Sequence, residues 1–168
     1  LHAIYAALES ALDDATRPAR FDALARTAAL ACDLRSFQGG PNPGAELAPA
    51  TLDYVARLRN LRGPRAHRLW AHVYVRYLGD LHGGQVLSRL VRGLFASPAA
   101  AGTRFYDFGS DAEVRALRGA LRGDLASLEL DATRCDDVVA EAVWAFEAHC
   151  ELFEQLRDRS LSAAVGPA

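Results

Sequence analysis

Methionine is absent from the 168 residues, and the chain begins at Leu1 within an apolar pattern. We therefore expect a fragment or a processed form, in which a missing signal peptide excludes nothing. No apolar run approaches the roughly 18 residues that a membrane-spanning helix needs, so no transmembrane segment is expected. The three cysteines, Cys32, Cys135 and Cys150, are odd in number and widely spaced. They exclude a disulfide framework and a zinc cluster and favour a reducing, cytoplasmic location.

A marked excess of charge of one sign is also missing. The formal net charge is -2, and the isoelectric point is near 6.2. Proteins that bind nucleic acids need a basic excess for their phosphate contacts, so we predict no nucleic-acid partner. Hydrophobic residues make up 51% of the chain and charged residues 24%, which excludes disorder. This length indicates one domain that is large enough to bury a real core.

Apolar residues repeat at helical spacing nearly throughout the chain. Leu1, Ile4, Tyr5, Leu8 and Leu12, for example, are spaced by three and four residues, as on one helix face. The predicted helices cover approximately residues 1–12, 21–32, 49–61, 67–94, 111–130 and 133–161. Glycine and proline mark residues 36–43 and 97–109 as loops. Because no strand alternation is visible, we predict a single all-α domain.

Residues 71–85, AHVYVRYLGDLHGGQ, place three glycines inside a predicted helix. Each glycine costs about 1 kcal/mol relative to alanine in a helix interior, and together they permit a kink. Gly79 and Gly83 are four residues apart and share a face, which leaves a smooth patch for a flat ligand. Close packing of two helices explains the same glycines equally well.

Asp80 lies between these glycines in an apolar helix, where a carboxylate is expensive to bury. Arg76 precedes it by four residues and can pair with it on one face. A buried acid beside a smooth patch can organise water next to a ligand. The alternative is a surface ion pair that contributes little to stability.

The stretch AHVYVRYLGDLHGGQ resembles the signature of the heme oxygenase family. Further segments are similar to that family in the same order along the chain: HAIYAALE, PATLDYVARL, LRGDLASLEL and WAFEAHCELFEQL. Bacterial members of the family look closer to this sequence than animal members do. The resemblance implies a helical heme oxygenase-like fold with a glycine-kinked distal helix, and oxidative opening of heme with O2 to biliverdin, carbon monoxide and ferrous iron. Heme would be both substrate and cofactor, and a separate reductase or ferredoxin would supply electrons to what we expect to be a monomer.

The same resemblance implies two groups of site residues. Around the distal water network, Asp80 would anchor water and help to deliver protons to the reacting dioxygen. Its polar partners match Arg76, Tyr5 and Tyr54, and His149 stands where relatives often carry an asparagine of this network. Around the heme itself, the matching positions are Gly79, Gly83 and Gly84 at the kink, Tyr74, Arg118 and Arg122 at the propionates, and Phe146 and Phe153 as apolar walls. Taken alone, the two phenylalanines are ordinary core residues. Arg115, Arg118 and Arg122 repeat at three and four residues along one helix, and such a basic stripe is usually a solvated face.

Two features depart from the family pattern. The family's proximal histidine lies upstream of the HAIYAALE segment, so we expect residues 1–161 to form a domain without the proximal helix, followed by a tail over 162–168. No iron ligand is assigned among the five histidines. His82 occupies the place of a common serine, where it could ligate iron or join a proton relay, although pointing away is the simpler expectation. Rival interpretations are a heme-binding or sequestering protein without turnover and a purely structural helical domain.

Overall fold

The computed structural model describes residues 1–13, 16–38, 46–94 and 102–164, and these contain helices but no strand. The α-helices are α1 (His2–Ala11), α2 (Phe21–Leu24), α3 (Thr27–Gln38), α4 (Pro49–Arg59), α5 (Leu69–Val73), α6 (Gly79–Leu94), α7 (Asp111–Ala126) and α8 (Ala132–Ala164). Short 3-10 helices cover Gly63–Arg68 and Arg104–Tyr106. The predicted all-α domain is confirmed. Of the loops expected at 36–43 and 97–109, residues 39–43 and 97–101 lie outside the described residues. Residues 36–38 belong to the end of α3, and the loop expected at 97–109 contains the 3-10 helix Arg104–Tyr106.

Local sequence explains where several helices begin. Pro49 occupies the first turn of α4, where its missing N–H is not needed. Ser110 caps α7 in a capping box, because its side chain accepts from the Glu113 N–H while Glu113 Oε2 accepts from the Ser110 N–H at 2.7 Å. No helix within the described residues is both long and apolar enough to cross a bilayer.

The core lies between α1, α4, α5 and α8. Helix α1 packs against α3, α4 and α5, and α8 packs against α4 and α5. Ile4, Tyr5 and Leu8 of α1 are fully buried, as the apolar spacing of that segment predicts. Tyr54 and Leu58 of α4 face them across the same core.

The second predicted helix is two helices, because the chain breaks at Ala25 and Arg26. Glu9 of α1 supplies the reason. Its Oε1 accepts the backbone N–H of Arg26 at 2.6 Å and that of Thr27 at 3.2 Å, so it satisfies donors at the start of α3. A side chain from α1 therefore stabilises the start of α3, and the sequence around residues 25 and 26 does not predict the break.

The long helix predicted over residues 67–94 is also interrupted, but before the glycines. The five residues Tyr74–Leu78 form a π-helical turn between α5 and α6, which we call the π turn. Such turns are rare and concentrate at functional sites. Gly79 begins α6 directly after it, so the distortion lies N-terminal to the predicted kink.

The expectation that Phe146 and Phe153 are core aromatics is wrong. Their side chains are 53% and 60% exposed. The buried face of α8 carries Glu141, Ala145 and Leu152 instead. A charged residue, Glu141, therefore takes a core position on this helix, where its buried carboxylate forms ion pairs.

Candidate heme site

Asp80 is the centre of a polar cluster beneath the N-terminal end of α6. The Tyr5 hydroxyl of α1 donates a hydrogen bond to Asp80 Oδ2. Burial raises the pKa of Asp80 to about 6, although the charge of Arg76 and the bond from Tyr5 both act to lower it. Burial also raises the pKa of Tyr5 well above its usual value, so the phenol keeps the proton that it donates. The carboxyl group thus changes protonation close to neutral pH.

Arg76 lies in the π turn and is only 5% exposed. Its guanidinium carbon is 5.0 Å from the centre of the Tyr5 ring, and its charge stabilises the ionised form of Asp80. The Arg76 Nε has no partner among the described residues. A buried guanidinium with an unused N–H beside Asp80 suits a site that holds ordered water or a polar ligand.

His149 of α8 completes this cluster. Its Nδ1 lies 2.9 Å from Arg76 Nη1. Burial and the positive charge of Arg76 lower the pKa of His149 to about 4. The imidazole is therefore neutral at neutral pH and accepts a hydrogen bond from the guanidinium, as an amide oxygen would.

Tyr54 does not join the Asp80 cluster by a direct contact. Its hydroxyl is 2.9 Å from His72 Nδ1, and His72 Nε2 is 3.1 Å from Glu141 Oε1. Arg57 donates twice to Glu141, at 2.9 and 2.7 Å. These four side chains form a second network, buried except for Arg57, which we call the Glu141 network.

The direction of each bond in the Glu141 network follows from the charge of Glu141. Hydrogen bonds from His72 and Arg57 lower the pKa of Glu141 to about 2 despite burial. The carboxylate accepts only, so His72 Nε2 carries the proton and Nδ1 is an acceptor. Tyr54 therefore donates to His72 rather than towards Asp80. The sequence analysis did not predict the roles of His72 and Glu141. The signal that could have shown them is the acidic residue Glu141 on the face of α8 that carries Ala145.

An open cleft of about 290 Å³ lies beside the Asp80 cluster. Its walls come from the π turn, α6, α7 and α8 and consist of Tyr74, Val75, Leu78, Gly79, His82, Arg122 and Phe146. Gly79 is exposed, and a methyl group on it or on Gly83 would meet no atom within 4 Å. A flat ligand can therefore approach the backbone of α6 closely. Apolar walls with one guanidinium at the edge fit a porphyrin that carries carboxylates.

Four predicted heme contacts are not among the residues that line the cleft: Gly83, Gly84, Arg118 and Phe153. Gly84 is buried against Tyr106, where a methyl group would lie 3.2 Å from Tyr106 Cδ1, so close packing explains this glycine. Phe153 packs edge-on against His149, with ring centres 4.7 Å apart, and supports the Asp80 cluster from the side of α8.

Comparison with known proteins identifies the family. The family model for heme oxygenase matches residues 1–155 of the chain. The chain belongs to the heme oxygenase family. Members of this family are enzymes that bind and degrade heme.

Individual relatives agree with the family model. The chain is 34% identical over 167 residues to heme oxygenase of Pyropia yezoensis, and the alignment covers 96% of this chain and 70% of the relative. It is 35% identical to heme oxygenase 2 of Synechocystis sp., with 99% of this chain and 70% of the relative covered.

Solved structures agree as well. Heme oxygenase-2 from Synechocystis sp. PCC 6803, in complex with heme and NO, superposes with a TM-score of 0.87 at 33% identity, covering 98% of this chain and 71% of that one. Heme oxygenase from Leptospira interrogans gives a TM-score of 0.82 at 30% identity, covering 90% and 77%. No group of three or more histidine, cysteine or acidic side chains within the described ranges could hold a separate metal ion.

Proposed function

We propose that this chain binds heme in the cleft beside Gly79 and opens it with O2 to biliverdin, carbon monoxide and ferrous iron. The observation that carries the proposal is the partly exposed Asp80 carboxyl group, which accepts a hydrogen bond from Tyr5 and lies near the buried Arg76. It directly follows Gly79, which lines the cleft. Bound heme supplies the iron at which O2 reacts and is itself the molecule that is opened. The protein residues orient the heme, exclude bulk water from the cleft and supply protons.

Asp80 has the central role in this proposal. A carboxyl group with a pKa of about 6 takes up and releases a proton near neutral pH, as proton delivery to a reacting oxygen requires. Tyr5 holds one carboxylate oxygen of Asp80 in place, and the positive charge of Arg76 stabilises the ionised carboxylate. His149 fixes Arg76 from α8. Tyr54 would act one step further away, through the Glu141 network.

The cleft residues seat the ligand. Gly79 and Gly83 let the porphyrin face approach α6, and Phe146 covers apolar surface. Arg122 at the rim is the cation for a propionate carboxylate, with Tyr74 on the same side. Arg118 lies on α7 one turn before Arg122, so it remains a proposed second propionate partner on that exposed edge. None of the five histidines is assigned as the iron ligand.

Electrons come from a separate reductase or ferredoxin in this proposal, and the protein acts as a monomer. Three free cysteines, Cys32, Cys135 and Cys150, support a reducing cytoplasmic location. The alternative of a heme-binding or sequestering protein without turnover has no support from the relatives named above, which are all called heme oxygenases.

Hemin titration followed by turnover tests the proposal. The protein is titrated with hemin by absorption spectroscopy, with and without imidazole as an added iron ligand, and is then given a reductant under air. We expect hemin binding and formation of a bile pigment. Asp80→Asn keeps the shape of the side chain but not its proton, so it should lower the rate of pigment formation at least about 100-fold with hemin affinity nearly unchanged.

The matched control is Glu129→Gln, which removes an exposed carboxylate remote from the cleft. It should leave both affinity and rate unchanged. If the wild-type protein binds hemin but forms no pigment under either condition, the non-catalytic alternative is correct. An unchanged rate in Asp80→Asn would remove Asp80 from the proposed mechanism.

A further inference from the structure

His82 lies on α6 three residues after Gly79 and reaches across the cleft towards α7. Its Nδ1 is 2.7 Å from the backbone carbonyl oxygen of Leu78, one turn earlier. Its Nε2 is 3.3 Å from Arg122 Nη2. His82 and its two partners, Leu78 and Arg122, line the same cleft as Gly79, so these contacts lie where the proposed ligand would bind.

The two contacts define one tautomer of His82. A carbonyl oxygen only accepts hydrogen bonds, so Nδ1 carries the proton. A guanidinium only donates, so Nε2 presents its lone pair to Arg122. The neutral ring with the proton on Nδ1 satisfies both partners at once. The imidazole is thereby fixed at one end by the helix backbone and acts as an acceptor at the other.

We propose that His82 is a positioning residue that holds the Arg122 guanidinium at the cleft edge to receive a carboxylate of the bound porphyrin. The inference rests on the proposed heme binding at this cleft. Arg122 is exposed, and a free arginine side chain on a surface samples many rotamers. One N–H engaged by His82 leaves the other guanidinium donors available, and a preformed orientation lowers the entropy lost on binding.

This geometry also assigns the role of the His82 ring that the sequence left open. Both ring nitrogens already have partners, one on the backbone of α6 and one on α7. Iron ligation would require Nε2 to leave Arg122. The contacts therefore favour orientation of Arg122 over ligation, and the spectrum of the bound hemin distinguishes the two.

A double-mutant cycle with two ligands tests the proposal. Hemin and hemin dimethyl ester, whose carboxylates are masked, are titrated into the wild-type protein, His82→Ala, Arg122→Ala and the double variant. We expect hemin to bind about 10-fold more weakly to Arg122→Ala and about 3- to 10-fold more weakly to His82→Ala. The double variant should match Arg122→Ala, because His82 acts through that arginine. Affinity for the ester should be nearly the same in all four proteins.

Two further variants sharpen the test. His82→Gln offers an amide oxygen to Arg122 and should recover most of the hemin affinity that His82→Ala loses. Arg89→Ala removes an exposed positive charge from the same helix outside the cleft and should bind both ligands as the wild-type protein does.

Three results would overturn the inference while leaving the proposed function intact. The first is wild-type hemin affinity in His82→Ala, and the second is an equal loss for hemin and its ester. The third is a low-spin spectrum of bound hemin that disappears in His82→Ala, which would make His82 an iron ligand. Absence of hemin binding to the wild-type protein would instead overturn the proposed function, and this inference with it.

Discussion

Asp80 and His149 flank Arg76 and respond to the same burial in opposite directions. Burial keeps the acid protonated to a higher pH and keeps the imidazole neutral to a lower pH. Between about pH 4 and pH 6 the folded protein therefore holds a proton at Asp80 that the unfolded chain has lost. Over nearly the same range the folded protein lacks a proton at His149 that the unfolded chain has gained. The two groups therefore change the free energy of unfolding with pH in opposite directions.

Single substitutions should expose these two opposing dependences. The raised pKa of Asp80 gives stability that is present below about pH 4 and lost as pH rises through about 6. Asp80→Asn should therefore gain stability relative to the wild-type protein as pH rises through this range. The lowered pKa of His149 gives stability that is present above about pH 6.5 and lost as pH falls towards about 4, so His149→Asn should show the opposite trend.

Urea unfolding at several pH values measures both trends. Each difference from the wild-type free energy of unfolding should change by up to about 1.4 kcal/mol per pH unit. Glu129→Gln, an exposed carboxylate, should show no such slope. Parallel curves for Asp80→Asn and the wild-type protein would mean that the pKa of Asp80 is not raised by folding.

At the scale of elements, α6 uses its glycines for two different purposes. Gly79 faces the open cleft, whereas Gly84 faces Tyr106 of the short 3-10 helix Arg104–Tyr106. Gly79 therefore fits the interpretation that the glycines admit a ligand, and Gly84 fits the interpretation that they allow close packing. The residue spacing alone could not divide the glycines between them.

Alanine substitutions should separate the two purposes. Gly79→Ala should raise the free energy of unfolding by about 0.5 to 1 kcal/mol, because alanine favours the helix and no atom is displaced, yet it should weaken hemin binding at least about 10-fold. Gly84→Ala should retain hemin binding but be about 1 kcal/mol less stable than Gly79→Ala, since Tyr106 must move.

Gly119→Ala on α7 is the matched control for both variants. A methyl group there meets no atom within 4 Å, and Gly119 does not line the cleft. It should gain helix stability with unchanged hemin affinity. Full hemin affinity in Gly79→Ala would contradict a porphyrin face against α6.

The helical periodicity predicted the elements well and their interruptions poorly. A spacing of three and four places Tyr5 on the buried face of α1, and the family resemblance brings Arg76, Asp80 and His149 to it, as the structure places them. Tyr54 is buried, as its apolar helix face predicts, but its hydroxyl bonds to His72 and makes no direct contact with Asp80. Periodicity gives the face of a helix, whereas the partner of a buried hydroxyl depends on side chains from two other helices.

At the scale of the whole molecule, the Glu141 carboxylate joins separate parts of the chain. It accepts from Arg57 of α4 and His72 of α5 and lies 3.7 Å from Arg68 at the end of the preceding 3-10 helix. The Glu141 side chain is fully buried, and Arg57 lies over the Trp144 ring beside it. One charge in the N-terminal third of α8 therefore fixes this helix to three others.

Glu141→Gln should lower the free energy of unfolding by about 3 kcal/mol, because Arg57 and His72 lose the buried carboxylate to which they donate. Asp131→Asn is the matched control, since Asp131 pairs with Arg134 at 3.9 Å with both side chains more than half exposed. That substitution should change stability by less than about 0.5 kcal/mol. Chemical denaturation compares the two, and an equal effect would mean that the Glu141 network adds nothing beyond a surface pair.

The π turn has a consequence for helical register. Leu69, Val73, Tyr77 and Leu81 are buried and follow one another at intervals of four residues. In an uninterrupted α-helix each such interval overshoots a full turn by about 40°, so the series would drift by roughly 120° around the axis. One additional residue in a turn cancels about 100° of that drift. Deleting one residue from Tyr74–Leu78 would therefore rotate Gly79 and Asp80 away from the cleft and the core while leaving the helix nearly as long.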